Sequence, residues 1–145
     1  EEQNPTPSVP TKIVMELSEK LLNTGKTIIT DNWYTSLELA NQLLDNNIHL
    51  VGTLRANRRG NPKSVTSKKL KVGEIIVKEN NRGICVGKWQ DKRDALFLST
   101  KHGDETVEVT RYTDTIETPA AIMEYISGKF SIDISHRMTS YNTAL

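Results

Sequence analysis

The stretch Thr27-Ile28-Ile29-Thr30-Asp31-Asn32-Trp33-Tyr34-Thr35-Ser36 sets the strongest limit on how this chain can fold. Two β-branched apolar residues between threonines suit a short strand buried on both faces. Asp31 falls where that strand runs out. Thr35 and Glu38 have the spacing of a capping box, with Thr35 as N-cap and Glu38 at N3; Tyr34 and Leu39 then take the staple positions N′ and N4. The helix should span Ser36 to about Asp45. It is apolar almost all round, because Leu37, Ala40 and Leu44 form one row and Leu39 and Leu43 another. Asn46-Asn47 ends it, and Ile48 to Leu54 reads as a second strand. A strand, a helix and a strand joined by short loops form the pattern of a βαβ unit in a parallel sheet. In open α/β sheets, ligands sit outside the carboxyl ends of the strands, so Asp31 is placed where a metal or substrate can reach it. The alternative for Asp31-Asn32 is an Asx turn that only links strand to helix.

Pro5, Pro7 and Pro10 mark residues 1–11 as an extended arm. A helix then runs from about Val9 or Pro10 to Asn23, with Ser8 as N-cap, Val14, Leu17 and Leu21 on one face, and Gly25 at its stop. The character changes near Gly60. From there to about Thr118 the pattern is short strands between turns: 74–78, 84–89, 95–99 and 106–112, read as a four-strand antiparallel meander. Helical architecture resumes after Thr118-Pro119, an N-cap and N1 pair.

Composition matters chiefly through its distribution. The net charge of +1 conceals a middle window, residues 46–73, with 7 basic and no acidic residues. No apolar run approaches the roughly 20 residues of a membrane span. No signal-peptide pattern opens the chain, and it begins without Met, as a fragment would. The single cysteine, Cys85, suits a reducing compartment and reads as a small core residue in a strand. His49, His102 and His136 are isolated and lack metal-ligand spacing.

The first motif continues beyond its helix. Asp31-Asn32-Trp33-Tyr34-Thr35-Ser36, then Leu39-Ala40, Leu43-Leu44, Val51-Gly52-Thr53-Leu54-Arg55 and Asn57-Arg58-Arg59, resembles the piggyBac transposase family. That family carries a D-N-[FW]-[FY]-T-S segment, a short helix, and a V-G-T-[VL]-R strand followed by a basic, proline-containing stretch. Pro119, Ile122, Tyr125, Lys129, Ile132, Asp133 and Met138 resemble its P-x-x-V-x-x-Y-N-x-x-K-G-G-V-D-x-x-D-Q-M segment in order and spacing.

The resemblance implies an α/β fold: an RNase H-like catalytic domain, partial because it lacks its first strands, interrupted by a small antiparallel β insertion. Residues 1–59 would be its first segment, 60–118 the insertion, and 119–145 the returning helical part. Asp31 and Asp133 would be the second and third of three catalytic, metal-binding aspartates, with Asp133 on or near a helix start. The first would lie on an earlier strand that this chain does not contain. Such a set holds two Mg²⁺ ions about 4 Å apart for Mg-dependent DNA cleavage and strand transfer. The implied partners are transposon-end and target DNA, with a homodimer in the full-length protein, no membrane, and action in the nucleus. Lacking one ligand, this chain alone should be inactive in strand transfer.

Arg55, Arg58, Arg59, Lys63, Lys68, Lys69 and Lys71 would form a phosphate-contacting track beside that site; the alternative is a mobile, solvated loop. Trp33 and Trp89 either stack on bases or pack in the core. Asp133 has its own alternative as an i,i+4 partner of Arg137 on a solvated helix face. The second motif also departs from the family: Phe130-Ser131 replace Gly-Gly, His136-Arg137 replace Asp-Gln, and Ile126 replaces Asn. These departures keep open a domesticated derivative that binds DNA without cutting it.

Overall fold

A computed structural model describes residues 7–128 and the backbone of 131–134. The amphipathic segment after the proline arm forms α1 (Val9–Leu17), with Pro10 in its first turn. It is shorter than the expected helix to Asn23. Ser18 Oγ donates to the Val14 carbonyl at 2.6 Å, competing with the helical ladder, and a 3₁₀ turn over Glu19–Leu21 follows. Ser8 stands at the N-cap position without a side-chain cap. Its hydroxyl donates instead to Glu38 at 2.9 Å, as does that of Thr11 at 2.8 Å, which ties α1 to the next helix.

The expected βαβ unit is present. β1 (Thr27–Thr30) is buried along its whole length, α2 (Leu37–Asp45) crosses over, and β2 (His49–Thr53) pairs parallel to β1. The register sets Thr27 beside His49 and Thr30 beside Gly52. Then come α3 (Lys63–Thr66), β3 (Ile75–Glu79), β4 (Cys85–Gln90), β5 (Asp94–Ser99), β6 (Thr106–Thr110), β7 (Thr115–Pro119), α4 (Ala120–Ser127) and β8 (Ser131–Ile134). Among the described residues, six strands form one sheet in the order β3-β4-β5-β2-β1-β8; β6 and β7 form a separate hairpin.

Two expectations are corrected here. The meander has three strands, not four: β3, β4 and β5 pair in sequence, but β6 turns to β7, a strand that the sequence reading had not assigned. β5 pairs instead with β2, so residues 75–99 extend the sheet that holds β1. The return after Pro119 is not purely helical either. Pro119 closes β7 and precedes α4, which stops at Gly128 in the left-handed conformation (φ 59°). β8 then pairs parallel to β1, with Asp133 beside Ile29. Asp133 therefore lies on a strand rather than at a helix start. The proposed Asp133–Arg137 helical pair, with His136 and Met138, falls outside the described residues, as do Lys129 and Phe130.

The sheet is covered on both faces, and α2 lies between one of them and α1, which explains why it needs apolar residues on several sides. On one face Ile28, Leu39, Ala40, Leu43, Leu50, Val86 and Leu98 pack with Val14 of α1. On the other, Val51, Trp89 and Phe97 meet Ala121 and Ile122 of α4. Trp89 is thus a core residue. Cys85 is buried as expected, and burial, followed by the charges of Glu79 and Glu105, pushes its thiol up to about 11.

At the amino ends of β1 and β2 a charged cluster joins the turn after β5 to α4. His102 Nδ1 lies 2.8 Å from Glu105 Oε2, and Nε2 lies 2.7 Å from Glu124 Oε1. Lys101 Nζ reaches Glu124 Oε2 at 3.1 Å and Thr27 Oγ1 at 3.3 Å. The His102 hydrogen bond holds the Glu105 carboxyl below the usual glutamate range, against the opposing effect of burial; the Gly103 amide helps.

Candidate active-site loop and basic face

At the opposite, carboxyl end of β1 the chain makes a compact loop, and each residue of Asp31–Ser36 has a distinct task. Asp31 Oδ1 accepts from the Trp33 amide at 3.0 Å, which is the Asx turn. The Asp31 carbonyl accepts from the Tyr34 and Thr35 amides, both at 3.1 Å. Tyr34 is buried, and its ring meets Trp33 edge to face at 4.9 Å. Burial, and then the charge of Asp31, raise the Tyr34 phenol above its ordinary value.

Thr35 is not the cap of α2. Its hydroxyl turns back to Thr30, with the two oxygens 2.6 Å apart, and donates to the Asp31 carbonyl at 2.8 Å. Ser36 is the N-cap and accepts the Leu39 amide at 3.0 Å. The cap thus lies one residue later than the capping-box spacing suggested, and Glu38 points to α1 instead. Burial works against a charged Glu38, but hydrogen bonds from Thr11 and Ser8 outweigh it and Arg59 adds its charge, so the carboxyl is held below its usual range.

The second half of the motif fits into the first. A Cβ on Gly52 would lie 2.4 Å from Thr35 Oγ1, 2.5 Å from the Thr30 carbonyl oxygen and 2.7 Å from Thr30 Oγ1. Only glycine lets β2 run beside this hydroxyl pair. Sequence spacing did not show this contact, although a glycine inside a strand signals close backbone approach.

Beyond β2 the basic residues divide. Arg55 and Arg59 are exposed. Arg58 is half-buried and points inward; its Nη2 donates to the Asn32 carbonyl at 3.0 Å and to the Trp33 carbonyl at 2.5 Å. Burial, then the charge of Arg55, lowers its pKa. Lys63, Lys68, Lys69 and Lys71 are exposed. Their segment is not simply a loop, because α3 anchors it through buried Val65. Lys88, which sequence reasoning passed over, is buried in β4. It donates to the Thr66 carbonyl at 3.1 Å and the Lys68 carbonyl at 2.6 Å, with Asp94 at 3.5 Å.

Asp31 and Asp133 are thus brought to neighbouring parallel strands. Asp133 sits in register two residues short of Asp31, toward the same end of the sheet. Among the described residues no group of three or more His, Cys, Asp or Glu could hold a metal ion, and no helix is long and apolar enough to cross a membrane.

A mixed α/β sheet with a carboxylate loop and a basic segment after the carboxyl ends of two of its interior strands is the setting in which the comparisons fall. The family described as Transposase IS4 matches residues 1–144, and the chain belongs to that family. Among solved structures it is similar to piggyBac transposase, seen by cryo-EM in a synaptic complex with hairpin DNA. The two are 26% identical with a TM-score of 0.69, over 88% of this chain. The match covers 26% of that transposase chain, about a quarter of its length. The piggyBac resemblance read from the two motifs is borne out.

Proposed function

We propose that this chain is part of an RNase H-like catalytic domain of a DNA transposase, in which Asp31 and Asp133 are two of three Mg²⁺-holding carboxylates. The observation that carries this reading is the register of β1 and β8, which sets the two aspartates two residues apart on adjacent strands. Adjacent strands are about 4.8 Å apart. The two-residue offset adds about 6.6 Å along the strands, which puts the two α-carbons about 8 Å apart. Side chains reaching inward from both could serve two ions about 4 Å apart. Carboxylate oxygens are hard donors, so the donor chemistry fits Mg²⁺. When bound, the metal would activate the attacking oxygen and stabilise the leaving one during cleavage and strand transfer. A third aspartate would come from an earlier strand.

The chain's own residues would do the positioning. The Trp33 amide orients Asp31, and the exposed Arg55, Arg59, Lys63, Lys68, Lys69 and Lys71 would contact DNA phosphates. Residues 60–118 would be the elaboration inserted into the catalytic fold. The full-length protein would act as a homodimer on transposon ends and target DNA in the nucleus. A second reading, DNA binding without catalysis, is favoured by Phe130-Ser131 and His136-Arg137 in place of the family residues.

Mn²⁺, a paramagnetic stand-in for Mg²⁺, separates the two readings. Amide resonances at 31–33 and 133 should broaden in wild type and remain sharp in Asp31→Asn. Broadening centred elsewhere, or none, removes the metal-holding role. DNA binding without such broadening supports the non-catalytic reading. Residues 1–145 alone should show no strand transfer; robust Mg²⁺-dependent nicking would show that the three carboxylates are misassigned.

A further inference from the structure

The basic loop after β2 is folded onto itself before it meets anything else. Asn61 Nδ2 donates to the carbonyls of Arg55 at 2.9 Å and Ala56 at 3.2 Å, and the Arg58 amide donates to the Arg55 carbonyl at 3.3 Å. Arg58 then joins this loop to the Asp31 loop through the Asn32 and Trp33 carbonyls. A guanidinium has five donors in a rigid planar fork. Spending Nη2 on two backbone carbonyls holds Arg58 against the protein, while Arg55 and Arg59 remain exposed on either side of it.

We propose that Arg58 is a positioning residue: a strut between the Asp31 loop and the basic loop that presents Arg55 and Arg59 as the phosphate ligands, without itself contacting phosphate. This rests on the reading that the chain binds DNA. The physical consequence is a split between affinity and salt dependence. Each lost phosphate contact lowers the slope of log K against log salt by about 0.9 on duplex DNA. Loss of a strut leaves the number of contacts nearly unchanged but makes ordering the loop part of binding.

The test is a salt titration of the chain on two unrelated duplexes. Arg55→Ala and Arg59→Ala should each reduce the slope by about 0.9. Arg58→Ala should weaken binding several-fold with an unchanged slope, and methylguanidinium at matched ionic strength should restore part of the loss. A slope reduced as in Arg55→Ala makes Arg58 a phosphate ligand and overturns the proposal. If Arg58→Ala does not fold, Arg58→Lys decides. A phosphate ligand tolerates that change, whereas a strut loses its fork and weakens binding at constant slope. Hydrogen exchange without DNA tests the strut separately from DNA binding. In the Arg58 variant, amides at 31–35 and 55–61 should quicken together. Independent behaviour of the two loops overturns the strut even if wild type binds no DNA, and absence of DNA binding with coupled exchange overturns only the DNA reading.

Discussion

At the carboxyl end of β1, the loop 31–36 is closed by hydroxyls, amides and carbonyls, with one guanidinium donating to neutral acceptors. At the amino end, the turn after β5 is closed by Lys101, His102, Glu105 and Glu124. The first arrangement is local and tightly packed, and its geometry depends on the space beside Gly52. The second joins segments far apart in sequence and depends on protonation. The ring of His102 donates to both carboxylates only as imidazolium. The Asp31 loop is thus held by interactions that solvent ions screen little, while a distant clamp is left to charge.

The largest expected effect breaks the first arrangement. Gly52→Ala drives a methyl group into the Thr30–Thr35 pair and should destabilise the fold by about 1–3 kcal/mol. Urea denaturation measures it, and hydrogen exchange should quicken first at 31–36. Unchanged stability would mean that β2 has room the structure does not show. Thr35→Val keeps the shape and removes the hydroxyl; about 1 kcal/mol should be lost. That loss should be equal at neutral and mildly acidic pH, and a pH-dependent loss would erase the distinction between the two ends.

The next effect sharpens the comparison from the other side. Glu105 has a folded-state pKa below its unfolded value, so its contribution is full above the unfolded value and is lost as pH falls through the folded one. Its side chain is 53% exposed, so screening keeps this below about 1 kcal/mol. Glu105→Gln should flatten the acid limb of a stability–pH curve, whereas Thr35→Val should only lower the curve. Glu38, also depressed, contributes acid sensitivity of the same sign and remains in both variants. The smallest effect is a control: Asp45→Asn breaks an exposed pair with Arg82 and should shift stability by no more than about 0.5 kcal/mol.

Much of the fold was legible because it is periodic. The β1–α2–β2 unit announced itself through Ile28-Ile29, the leucine rows and the Asn46-Asn47 stop, and β3 to β5 through apolar runs between turn residues. Asp31 was legible by position, at the end of a buried strand. The partner of β6 was not, since antiparallel pairing with β5 or with β7 is equally compatible with its alternation. The inward turn of Arg58 was also hidden, because it lies among six other basic residues with the same composition cue.

The sequence by itself determined the β1–α2–β2 unit and the strands β3 to β5, that Asp31 and a basic segment flank the same strand ends, and the family to which those motifs belong. Tertiary structure decided which hydroxyl caps α2, which arginine faces inward, and that Asp133 stands on a strand. The reason is physical. Periodicity and turn chemistry act over a few residues, but a side chain chooses its hydrogen-bond partner among groups the fold brings near. Thr35 found Thr30 and the Asp31 carbonyl, so the cap passed to Ser36; Arg58 found two carbonyls about 25 residues upstream.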